Sequence, residues 1–162
     1  MLSPELKQKL KATLPIECHE LRDLPGGGIY GFIAWQQVRN YLDNICDFEI
    51  EFTDPVIIED VCCIRCTIAI EKVKRQGLGV CSVAKKGIRG TFVESAVADA
   101  FKNAAEQFGV GAYLDDQKWQ DKLKNHPSLV AVYKQKKAGQ HHSNSDKSPA
   151  SSTRPAGWKP SY

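Results

Sequence analysis

The stretch Thr91–Gly109, TFVESAVADAFKNAAEQFG, limits what this chain can fold into more than any other. Phe92, Val93, Ala96, Val97, Ala100, Phe101, Ala104 and Phe108 recur at steps of three and four. That spacing puts them on one stripe of an amphipathic helix. Glu94, Ser95, Asp99, Lys102, Asn103, Glu106 and Gln107 fill the opposite face. Thr91 and Glu94 stand at capping-box spacing, and Gly109 provides the left-handed residue that ends a helix. The alanines on the apolar stripe leave room for another surface to approach closely. The stretch reads as a helix lying across a sheet.

The remaining chain supplies that sheet. Phe48–Thr53 alternates apolar and acidic residues, the pattern of a half-buried strand. Val56–Ile58 continues the pairing beyond Asp54-Pro55. Val61–Val73 is the longest strand signal, with Cys62, Ile64, Cys66, Ile68 and Ile70 on one face. Lys74-Arg75-Gln76-Gly77 reads as a hairpin turn and Leu78–Val83 as a third strand. Upstream, Ser3-Pro4-Glu5 opens a short helix. Leu24–Gly28 is a loop, Ile29–Ile33 a short strand, and Ala34–Ile45 a helix with Trp35 as a core anchor. Gln117–Lys124 and Ser128–Lys136 read as short helices. The expected class is therefore α+β, a three-stranded antiparallel sheet packed against a long helix, with short flanking helices. Residues 1–133 form one domain. Residues 134–162 read as a disordered basic tail, compositionally poor in apolar pattern and carrying Trp158 and Tyr162.

No apolar run approaches the length of a bilayer span, and the N-terminal residues lack a signal-peptide core. A cytosolic chain with reduced cysteines is expected. The net charge of +3 hides a segregation. Asp43–Asp60 contains seven acids and no base, whereas Lys72–Arg89 contains six bases and no acid. Residues 134–162 add six bases and one acid. Local basic blocks of this kind point to a polyanion partner.

The sharpest such block is Lys85-Lys86-Gly87-Ile88-Arg89-Gly90-Thr91. It sets three cations just before a helix N-terminus, where free amides and the helix dipole favour phosphate. Lys74 and Arg75 extend the basic track if the strand between runs along the sheet. Other chemistry is poorly represented. Cys63 and Cys66 form a CxxC, but on a strand residues three apart point to opposite faces, and Cys62 and Cys66 lie roughly 13 Å apart. No metal site or cofactor is expected. His19 and His126 stand without adjacent partners, and no nucleophile–base set is readable. The three glycines at 26–28 lack the Lys-Ser/Thr pair of a P-loop.

The run Leu78–Asp116 resembles the single-strand annealing proteins of the Rad fifty-two type, and within them the bacterial DdrA (DNA damage response A) branch. The residues that carry the likeness are Gly79-Val80, Lys85-Lys86, and the helix pattern Ala96-Val97, Asp99, Lys102, Ala104, Phe108-Gly109, followed by Leu114-Asp115. Tyr30–Asp43, with Val38 and Asn40, resembles the family's first core helix. The resemblance implies a curved antiparallel sheet on a long helix, written β-β-β-α. It also implies assembly into homo-oligomeric rings and single-stranded DNA held in an outer groove between sheet and helices. The implied activity is strand annealing and end protection in recombinational repair, in the cytoplasm at the nucleoid, without nucleotide or metal chemistry. Lys102 matches a DNA-contacting lysine of the family, and Lys85 and Lys86 fall in its basic loop. Asn103, Glu106 and Gln37 stand where the family has basic residues, so the groove is expected to be less positive.

The DNA-binding residues expected from sequence are thus Lys85, Lys86, Arg89 and Lys102, with Lys74 and Arg75 more peripheral. A second expectation is an oligomeric adaptor whose Trp158 and Tyr162 recruit a recombinase or a single-stranded-DNA-binding protein. A third is a small enzyme holding a phosphorylated ligand at the Thr91 helix terminus.

Overall fold

A computed structural model describes residues 1–24, 26–84 and 91–144, the side chains of 140–144 excepted. The expectations placed on Lys85, Lys86, Arg89, Trp158 and Tyr162 lie outside the described residues. Among the described residues the elements run α1 (Pro4–Leu10), β1 (His19–Asp23), β2 (Ile29–Ile33), α2 (Trp35–Ile45), β3 (Phe48–Phe52), β4 (Val56–Ile58), β5 (Val61–Ile70), β6 (Val73–Ser82), α3 (Phe92–Glu106), α4 (Gln117–Lys124) and α5 (Pro127–Asn144). The class is α+β, with antiparallel sheets of four strands and of two.

β5 is the centre of the larger sheet. β6 pairs along its whole length on one side, from Val61↔Ser82 to Ile70↔Val73. On the other side, β3 and β4 pair with successive parts of β5, Phe48–Phe52 against Ile70–Cys66 and Val56–Ile58 against Cys63–Val61. The sheet therefore has four strands where the alternation pattern predicts three, because Asp54-Pro55 breaks one row into two. The turn expected at Lys74–Gly77 is also displaced. The chain reverses at Glu71-Lys72, and Lys74 and Arg75 are inside β6. Glu71 adopts φ 53° to make the two-residue turn, as Glu59 does between β4 and β5. Turn chemistry normally advertises itself through Gly or Asn at such positions, and neither is present here.

α3 lies on the even-numbered face of β5 and the odd-numbered face of β6. Its start matches the sequence reading: Glu94 N–H donates to Thr91 Oγ1 at 3.2 Å, and Thr91 N–H donates to Glu94 Oε2 at 2.7 Å. Its end is a Schellman turn. Gly109 N–H reaches Glu106 C=O and Val110 N–H reaches Ala105 C=O, with Gly109 at φ 102°. The close approach has a specific cause. A Cβ on Gly79 would sit 1.9 Å from the Ala96 carbonyl oxygen, and one on Gly77 2.1 Å from the Ala104 amide nitrogen. Two glycines on the strand and alanines on the helix bring the backbones together. Beneath them Cys62, Ile64, Cys66, Ile68, Ile70 and Phe101 are essentially inaccessible. Trp35 stacks edge-on against Phe101 at 5.9 Å, as a core anchor should.

β1 and β2 form a separate ribbon, paired from His19↔Ile33 to Asp23↔Ile29. The glycines at 26–28 belong to its turn, all at positive φ. β1 has no counterpart in the sequence reading, because HELRD carries a single aliphatic residue. Leu21 packs with Leu123 and Leu129 in a second small core. Buried Gln120 fastens the ribbon: its Oε1 accepts from Gly31 N–H at 2.8 Å, and its Nε2 donates to the Gly31 and Leu114 carbonyls at 2.9 Å each. His19 is buried and packing in character. Its Nδ1 lies 3.0 Å from the Pro15 carbonyl and its Nε2 2.7 Å from the Tyr113 hydroxyl. These contacts suit a neutral ring donating from Nδ1, and burial lowers its pKa accordingly.

α5 runs through the expected boundary at residue 133. Lys136 bonds Glu20 at 2.7 Å and Lys137 reaches Asp23 at 3.1 Å. Two cations assigned to a free tail are thus paired with β1. No helix among the described residues is long and apolar enough to cross a membrane.

Candidate nucleic-acid interface

β2 presents Tyr30 and Phe32 on one face, two residues apart. Opposite them runs α3, where Lys102, Asn103 and Glu106 follow at helical spacing. The C-terminal continuation of α3 adds Val110, Leu114 and Asp115. Together these line a concave surface of about 230 Å³. Arg22, the cross-strand partner of Tyr30, holds its guanidinium 3.5 Å above the Phe32 ring centroid. The groove itself joins aromatic surface and a lysine, ingredients used to hold a stacked, charged strand.

Lys102 is the one expected DNA-binding residue that the described structure brings into this groove. Lys74 and Arg75 are exposed but elsewhere. Lys74 pairs with Ala69 and projects from the uncovered face of the sheet, whereas Arg75 pairs with Ile68 and projects from the helix side. Neighbours on a strand alternate between faces, so these two cations cannot line one track. α3 runs antiparallel to β6, since Gly79 faces Ala96 and Gly77 faces Ala104. Arg75 therefore lies towards the C-terminal end of α3, about 20 Å from Thr91 by the rise of a 15-residue helix. The described cations do not form the continuous track that their order in sequence suggests.

The groove also carries acid. Burial, then the hydrogen bond and charge of Asp115, push the Glu106 carboxyl above its ordinary range, while Lys102 opposes the shift. Burial and the same two acids push the Tyr30 hydroxyl up. The site thus sets Lys102 beside a carboxyl pair, with Glu106 held more readily in its neutral form.

Asn103 has a structural role. Its Nδ2 donates to the Leu78 carbonyl at 2.7 Å, and Asp99, one helical turn earlier, accepts from Val80 N–H at 3.4 Å. Both backbone groups belong to the edge of β6 not paired with β5. α3 therefore closes part of that edge with its own side chains.

A larger cavity of about 470 Å³ lies between α1 and the end of α2, lined by Glu5, Lys9, Asp47 and Glu71 among others. Its lysine is bonded to Glu5 at 2.9 Å, so its balance of charge is wrong for a polyanion. All six cysteines are free, Cys62 and Cys66 buried on one face and Cys63 on the other. No cluster of three or more metal-ligating side chains occurs among the described residues.

Tyr30 and Phe32 are functional candidates that the sequence reading passed over. The available signal was the alternation Glu20, Arg22 against Tyr30, Phe32, which becomes visible only once β1 is known to be a strand. No family model matches the chain, and no curated protein matches it closely enough to be counted a relative.

Proposed function

We propose that the chain binds single-stranded DNA in the groove between β2 and α3, and that it pairs or protects strands without chemical catalysis. The reading follows the sequence resemblance to the Rad fifty-two type annealing family, its DdrA branch and its β-β-β-α plan. The observation that carries it is Lys102 sharing one concave surface with Tyr30 and Phe32. Bases stack on aromatic faces whatever their identity, and cations track the backbone, so binding of this type is sequence-tolerant and salt-sensitive. Lys85, Lys86 and Arg89, leading to Thr91, would extend the contact. In this reading the protein acts as a homo-oligomeric ring. With the β6 edge partly closed by Asp99 and Asn103, the β3–β4 edge of the large sheet is, among the described residues, the more open to a neighbour.

The test is fluorescence anisotropy of labelled oligo-dT and mixed-sequence strands with the full chain. Lys102→Ala weakens all strands alike and reduces the log–log salt slope by roughly 0.7, the value for one phosphate contact on a single strand. Lys74→Ala, on the far side of the sheet, leaves affinity nearly unchanged. Equal effects of the two substitutions, or no binding by the unsubstituted chain, would overturn the assignment. Native mass measurement with and without oligo-dT checks the ring.

A further inference from the structure

Among the described residues nothing covers the face of the large sheet opposite α3, and one end of it is apolar. Directly paired residues share a face, so the register places Val56, Cys63 and Val80 in one row and Ile58 and Val61 in the next, with Leu78 alongside. Their exposures are high for aliphatic side chains in a sheet: Ile58 60%, Val56 54%, Leu78 53%, Val80 49% and Val61 38%. A contiguous apolar surface of this kind marks a contact site. Among the described residues its surroundings are acidic. Glu49 and Glu51 lie on the same face, and Glu59 and Asp60 form the adjoining β4–β5 turn, against Arg65 and Lys74.

A second copy would bring two faces of the same negative balance together. The chain itself contains a segment of complementary chemistry. Residues 145–162 hold Lys147, Arg154 and Lys159 against Asp146, with Trp158 and Tyr162 as apolar anchors. From Asn144 to Trp158 the chain spans up to about 45 Å. A folded part of this size has a radius of gyration of about 15 Å, so the reach of the segment is comparable with the diameter of the folded part. We propose that residues 145–162 dock on the bare face of their own sheet, Trp158 and Tyr162 over the Val56–Cys63–Val80 and Ile58–Val61 rows, with Arg154 and Lys159 towards Glu59 and Asp60. Tethering makes the contact intramolecular, so a small apolar anchor suffices. The docked segment occupies the side of the sheet away from the β2–α3 groove, and the proposal stands independently of DNA binding.

Cys63 is a built-in reporter, half-buried within the patch, while Cys18 and Cys46 lie outside it with similar partial burial. The full chain is alkylated with iodoacetamide and each thiol is followed by peptide mass spectrometry. Trp158→Ala with Tyr162→Ala speeds Cys63 labelling several-fold and leaves Cys18 and Cys46 unchanged, at every protein concentration. Arg154→Glu with Lys159→Glu acts in the same direction without removing the aromatics. Unchanged Cys63 labelling in both variants overturns the proposal. Protection that grows with protein concentration and ignores both variants also overturns it, and assigns the face to a second copy. Faster labelling of buried Cys62, Cys66 and Cys81 identifies unfolding, and the charge-reversed variant then decides.

Discussion

On the helix side of the large sheet, Cys62, Ile64, Cys66, Ile68 and Ile70 are at most 2% exposed, whereas on the other side Leu78 and Val80 stay about half exposed. The same strands make both faces, and their alternation already favours one: β3 and β5 set Phe48, Ile50, Phe52, Ile64 and Ile68 towards the helix, and Glu49, Glu51, Arg65 and Thr67 away from it. β6 adds a difference in side-chain size. Gly77 and Gly79 alternate with Leu78 and Val80, so one face is flat enough for a helix backbone to touch and the other is raised. A close-packed helix gains contact with every atom of the strand beneath it. The raised face offers side-chain knobs that suit a smaller or later-arriving segment.

The largest effect expected from breaking this contrast is at Gly79. Gly79→Ala must displace α3, since the new methyl carbon would overlap the Ala96 carbonyl. The loss is expected at about 3 kcal/mol or more in urea unfolding, at or above the upper range for overpacking. An exposed position on the opposite face, away from the apolar rows, provides the control: Lys74→Ala changes stability by under about 0.5 kcal/mol. Comparable losses at both positions would erase the distinction between the faces.

A smaller effect is expected where the two faces meet. Asn103→Ala frees the Leu78 carbonyl on the β6 edge and costs about 1 kcal/mol, the net worth of one hydrogen bond. Amide exchange of β6 reports whether the edge has opened. At the β5–β6 turn, Glu71→Gly relieves φ 53° and is expected to stabilise by no more than about 1 kcal/mol, since glycine's larger unfolded-state entropy offsets part of the gain.

The smallest effect concerns pH and the groove on the helix side. Glu106 has a folded pKa above its ordinary 4.5. Its contribution to stability is therefore complete below that value and is lost as pH rises through the higher folded value. Glu106→Gln flattens this part of the pH–stability curve. The same substitution removes the rise in oligo-dT affinity expected of the unsubstituted chain as pH falls towards the carboxylate range. Parallel pH profiles for the two proteins would show that Glu106 does not face the bound strand.

Much of the helix side was legible. The Thr91–Glu94 box, the Gly109 stop and the alanine stripe are local patterns, each formed by residues within four positions of one another. The opposite facing of Cys62 and Cys63 followed from strand alternation alone. The groove was legible only at Lys102. β1 was hidden because its strand character comes from pairing with β2, and the start of β6 was hidden because a Glu-Lys turn carries no glycine. Placing the turn four residues late set Lys74 and Arg75 at a hairpin tip, when they lie on opposite faces of a strand.

The amino-acid sequence by itself determined the long capped helix and the two-sided strands, because helix and strand periods are written in near neighbours. Only the tertiary structure decided how closely the helix backbone approaches the sheet, that Asn103 closes a strand edge, and that Tyr30, Phe32 and Lys102 line one groove. Those outcomes depend on contacts between distant segments, as when Gln120 grips Gly31 from 89 positions away. Such partners are chosen by mutual shape and unsatisfied backbone groups, which no local pattern records.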